Sequence, residues 1–142
     1  MSRARPALRL LLAVSMMGVG VSHFLIPATF EAMVPASLPA HGLLVAVSGF
    51  FEILGGGGLL VPRARRAASL GLVLLYLSVF PANVNMLLHP EAWPGLPVWS
   101  LWARLPFQAL FIAWALWAGK PDGKPVGDAG GKTELAPRRG AR

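Results

Sequence analysis

The sequence has no cysteine in its 142 residues. A disulfide, a cysteine-ligated iron–sulfur cluster and a thiol relay are therefore excluded as parts of this chain. Because cysteine is missing altogether, its usage says nothing about the compartment in which the protein works.

Charged side chains are also scarce, at 13% of the residues, whereas 55% are hydrophobic. Several apolar runs of about twenty residues, the length that spans a bilayer, place the chain among membrane proteins. We expect one compact membrane domain to take up this length, without a separate soluble catalytic domain.

The net charge of +7 would suit a nucleic-acid partner, but its distribution does not. Apart from Arg104, lysine and arginine lie at the N-terminus, in the short stretch 62–66 and after residue 119, with no basic and aromatic interleaving. We therefore expect a lipid bilayer as partner and no nucleic acid. Since positive charge marks the cytoplasmic side, both termini are predicted to be cytoplasmic.

Four apolar runs predict an all-α membrane protein, a four-helix bundle with up-down-up-down topology. The predicted transmembrane helices cover residues 7–26, 43–61, 67–88 and 99–119. Three prolines in residues 27–39 predict a short interfacial segment between the first two helices, and Pro81 predicts a kink in the third. Residues 1–119 form the predicted membrane domain, and the polar residues 120–142 a disordered cytoplasmic tail.

One carboxylate, Glu52, falls in the middle of the second apolar run. An ionisable group at that depth is costly, so it should face protein or water and have a partner. Ser48, Gly55 and Gly56 share its helical face, and together with Gly49 they are predicted to let a neighbouring helix pack closely.

Polar residues of four predicted helices fall in the same, outer half of the bundle. The candidates for a ligand site or polar core are His23, Glu52, Asn83, Arg104 and Gln108. Glu52 and Arg104 are expected to pair, either as a structural link between the second and fourth helices or as a ligand or proton site. His23 is either an ordinary interfacial histidine or a proton-handling group.

The two asparagines after Pro81 have separate interpretations. We expect the Asn85 amide to satisfy the carbonyl that the proline leaves free, while Asn83 could do the same or belong to the site. Gln108 is expected to hydrogen-bond across helices. The histidine spacings match no metal motif, so no metal site is predicted.

Short motifs follow one another in a characteristic order between residues 7 and 119. They are His23-Phe24, Pro27, Phe30, Val34-Pro35, Leu38-Pro39, Ser48-Gly49, Glu52, Gly55-Gly56, Phe80-Pro81-Ala82-Asn83, Arg104, Pro106 and Gln108. This order resembles the DoxX-like family of small bacterial four-helix membrane proteins. The resemblance implies a multi-pass protein of the bacterial cytoplasmic membrane, the inner membrane. It also implies a link to membrane redox complexes, since the family's name comes from a subunit of a thiosulfate:quinone oxidoreductase. Glu52, Asn83, Arg104 and Gln108 match the family's polar positions.

These observations favour an accessory subunit of a quinone-linked redox system. We expect this subunit to be non-catalytic on its own rather than an enzyme. It would have no covalently bound cofactor, would hold a quinone in the polar pocket and would take electrons from a membrane redox partner. Two alternatives stay open. One is a small-molecule transporter, which would need to form a homo-oligomer, and the other is a non-catalytic structural or assembly protein.

Overall fold

The computed structural model describes residues 4–121, which form five α-helices and a short 3₁₀ turn, with no β-strand in that range. The helices are α1 (Ala4–Leu25), α2 (Pro27–Glu31), α3 (His41–Leu60), α4 (Arg65–Leu88) and α5 (Val98–Ala118). All but α2 are long and apolar enough to cross a membrane. The prediction of an all-helical chain with four long apolar helices is confirmed. The predicted disordered tail lies outside the described residues from residue 122 onward.

The connection between α1 and α3 is folded. Pro27 stands in the first turn of α2, where its fixed φ suits a helix and its missing N–H is not needed. Asn85 of α4 donates a 3.3 Å hydrogen bond to the Met33 carbonyl, and the His41 imidazole lies 3.2 Å from the Pro35 carbonyl. The expectation that Asn85 serves the carbonyl freed by Pro81 is therefore wrong, because its amide holds this connection instead.

Glycines bring the backbones of α1 and α3 into direct contact. A Cβ added at Gly20 would lie 2.6 Å from the Gly49 carbonyl oxygen, and one at Gly56 would lie 2.7 Å from the Ala13 carbonyl oxygen. Gly55 faces the other neighbour, where an added Cβ would lie 2.6 Å from Leu72 of α4. Thus α3 is wedged between α1 and α4 at distances that only glycine permits.

Two buried arginines close the ends of helices. The Arg9 Nε donates to the Ala118 carbonyl at 2.9 Å, and the Arg65 Nε donates to the Leu59 carbonyl at 3.0 Å. The last carbonyls of a helix have no partner within it and carry partial negative charge, so a guanidinium is well suited to them. Both contacts lie at the end of the molecule where α1 and α4 begin and α3 and α5 end. The apolar core lies beside this end, around Leu12 and Leu72.

Candidate ligand-binding cavity

A cavity of about 1010 Å³ lies among the helices, away from the arginine-capped end. Its walls are mostly apolar and come from α1, α3, α4, α5 and the connection that contains α2. All five candidates predicted from the sequence line it: His23, Glu52, Asn83, Arg104 and Gln108. The structure therefore brings together side chains from four helices that are far apart in the sequence.

Glu52 and His23 form a buried polar pair in the cavity, with 8% and 7% of their surfaces exposed. His23 Nδ1 lies 3.7 Å from Glu52 Oε2 and 3.1 Å from the Ser48 hydroxyl oxygen. The Ser48 hydroxyl donates to the Val45 carbonyl at 2.9 Å, and its oxygen accepts from His23 Nδ1 in the tautomer that carries a proton on that nitrogen. Ser48, predicted as a packing residue, thus also orients the histidine.

The close approach of α1 and α3 explains this pair. A Cβ on Gly49 would lie 2.7 Å from the Cβ of His23, so α3 has no side chain where the histidine leaves α1. The imidazole then fits between Ser48 and Glu52, one helical turn apart on α3. Phe30 of α2 covers it edge-on, with ring centroids 3.9 Å apart.

Arg104 does not pair with Glu52. Both side chains line the cavity, but α3 packs on α1 and α4, whereas α5 packs mainly on α4. The two residues line the same cavity without forming an ion pair, so the prediction that they pair is wrong. Within residues 4–121, the half-buried Arg104 has no hydrogen-bond or ion-pair partner.

A second polar group connects α4 to α5. The Asn83 amide donates a 2.9 Å hydrogen bond to the Gln108 side-chain oxygen, and the buried Gln108 amide donates to the Tyr76 carbonyl. Pro81 has no N–H for the Leu77 carbonyl four residues earlier, and the Tyr76 carbonyl that accepts from Gln108 is the neighbour of that carbonyl. The prediction that Gln108 bonds across helices is confirmed.

Tyr76 and Phe30 line the cavity in contact with predicted residues but were not themselves among the candidates from the sequence. Tyr76 is the sole tyrosine, and its hydroxyl donates to Met16 Sδ at 2.8 Å. A single tyrosine within an apolar run is the sequence feature that could have identified it. Phe30 lies in a helix of five residues, which is too short to show periodicity. Within residues 4–121, no three His, Asp or Glu side chains lie together where they could hold a metal ion.

A family model described as a domain of unknown function, DUF8561, matches residues 12–119. The chain belongs to this family. The matched part of the DUF8561 domain contains all five polar residues of the cavity. No curated protein and no solved structure matches the chain significantly. The resemblance to DoxX-like proteins stays a prediction.

Proposed function

We propose that this protein binds a quinone in its cavity and acts as an accessory subunit of a quinone-linked redox system in the membrane. The observation that carries the proposal is one large, mostly apolar cavity with a few convergent polar side chains. Sites for small organic molecules have this composition and a volume of about 300–1,000 Å³. Electrons would come from a membrane redox partner.

The chemistry of the walls fits this class of ligand. Aromatic side chains such as Phe51, Phe107 and Phe111, together with the aliphatic side chains of the walls, suit a ring with a hydrocarbon tail. Arg104 provides hydrogen-bond donors that no group within residues 4–121 uses, and a quinone carbonyl is an acceptor. A guanidinium facing an apolar cavity would therefore be satisfied by the head of the ligand.

The proposal includes an arrangement in the membrane. The four long helices would cross the bacterial cytoplasmic membrane as an up-down-up-down bundle with both termini in the cytoplasm. Contacts between Gly20 and Gly49 and between Ala13 and Gly56 support opposite directions for α1 and α3. Residues 26–40 and 89–97 hold no lysine or arginine, as expected of external loops. The cavity would then lie in the outer half of the bundle.

Calorimetric titration of the full chain in lipid nanodiscs with a short-chain benzoquinone tests the proposal. We expect saturable binding that weakens at least about tenfold in Arg104→Gln, because a buried hydrogen bond from a charged group is lost. Arg63→Gln is the matched control, since Arg63 is exposed and does not line the cavity. Absence of binding by the unaltered chain would refute the proposal and favour a structural role for the polar cluster.

A further inference from the structure

We propose that the cavity binds the reduced hydroquinone form of its ligand more tightly than the oxidised quinone, because Glu52 accepts a hydrogen bond from a ligand hydroxyl. This inference rests on the proposed function and specifies the redox state that the same site prefers.

The observation behind it is an acceptor without a donor. Glu52 lines the cavity with 8% of its surface exposed, and its buried Oε2 receives no hydrogen bond. A buried acceptor that lacks a donor is costly, and the cost is greater for a charged group. A side chain in this state on the wall of a cavity indicates a ligand that brings the donor.

The neighbouring polar groups are engaged elsewhere. His23 Nδ1 lies closer to the Ser48 oxygen, at 3.1 Å, than to Glu52 Oε2, at 3.7 Å. The Ser48 hydroxyl donates to the Val45 carbonyl, and the Tyr76 hydroxyl donates to Met16 Sδ. Neither hydroxyl is therefore available to Glu52.

The two redox forms of the ligand differ in the group that Glu52 would meet. A quinone presents carbonyl oxygens, which only accept hydrogen bonds. The hydroquinone has nearly the same shape but presents two O–H groups, which can donate. Arg104, which lines the same cavity, can donate to an oxygen of either form. Glu52 therefore discriminates between the forms, and Arg104 binds both.

The consequence for a redox system is a shift in potential, with no electron transfer by this chain. A tenfold preference for the hydroquinone would raise the potential of the bound two-electron couple by about 30 mV. The bound ligand would then be easier to reduce than the same molecule free in the bilayer.

The test compares three ligands with the same substituted ring by anaerobic calorimetry on the full chain in nanodiscs. They are a short-chain benzoquinone, its hydroquinone and the dimethyl ether of that hydroquinone, which has no donor. We expect the hydroquinone to bind about tenfold or more tightly than the other two. This comparison needs no variant, so it does not depend on how a substitution folds.

Substitutions then locate the effect. Glu52→Gln supplies both a donor and an acceptor, so the preference for the hydroquinone should disappear. Glu91→Gln is the control, because Glu91 also lies beside a histidine, at 3.2 Å from His89, but is exposed and outside the cavity.

The outcomes separate the two proposals. Equal affinity for all three ligands would overturn the preference and leave quinone binding intact, whereas no binding of any ligand would overturn both. A preference that persists in Glu52→Gln would show that another group provides the acceptor.

Discussion

Replacing Gly20 by alanine should separate α1 from α3. The added Cβ would lie 2.6 Å from the Gly49 carbonyl oxygen and 2.8 Å from Ile53 Cγ1, and the first of these is backbone that cannot rotate away. Overpacking of this kind typically costs about 1–3 kcal/mol. The higher helix propensity of alanine offsets up to about 1 kcal/mol of that cost.

Gly18→Ala is the matched control on the same helix. Gly18 is exposed, and nothing lies within 4 Å of a Cβ added there, so this variant gains helix propensity without the clash. Unfolding of both variants in mixed micelles, followed by circular dichroism, should place Gly20→Ala about 1–3 kcal/mol below Gly18→Ala. Equal stability of the two variants would refute the close contact and, with it, the placement of His23 beside Glu52.

Three further predictions concern the polar groups and the topology. His23→Ala and Glu52→Gln should be non-additive by about 0.5–3 kcal/mol in unfolding, because the residues are in contact; additive losses would contradict their coupling. Gln108→Leu should destabilise the protein by about 1–3 kcal/mol, because the Tyr76 carbonyl loses the donor that Gln108 provides. Unchanged stability in the same unfolding assay would argue against this hydrogen bond. In intact cells, an impermeant thiol reagent should label Ala92→Cys and leave Arg63→Cys unlabelled. The reverse pattern would show that the topology is inverted.

The long helices could be predicted from composition, because an apolar run of the required length has few other structures open to it. The gathering of polar residues could be predicted as well, since the order of the helices gives each of them an approximate depth. Both inferences depend on position along a helix axis, which the sequence encodes directly.

The partner of Glu52 could not be predicted in the same way. Depth along the axis did not exclude Arg104, whereas the observed contact depends on how α1 and α3 are rotated about their axes. That rotation follows from Gly20 meeting Gly49, and no periodicity in either helix indicates which glycines face each other. Asn85 shows a similar limit, because its bond to the Met33 carbonyl depends on how the loop after α2 folds.

The presence of a ligand in the cavity is the central claim, and native mass spectrometry of the purified full chain tests it most directly. Ala103→Trp fills the cavity from α5, and Ala109→Trp, at an exposed position on the same helix that does not line the cavity, is its control. We predict a one-to-one complex with a quinone for the unaltered chain and for Ala109→Trp, and its loss in Ala103→Trp. A quinone retained equally by all three proteins, or found with none, would contradict the account.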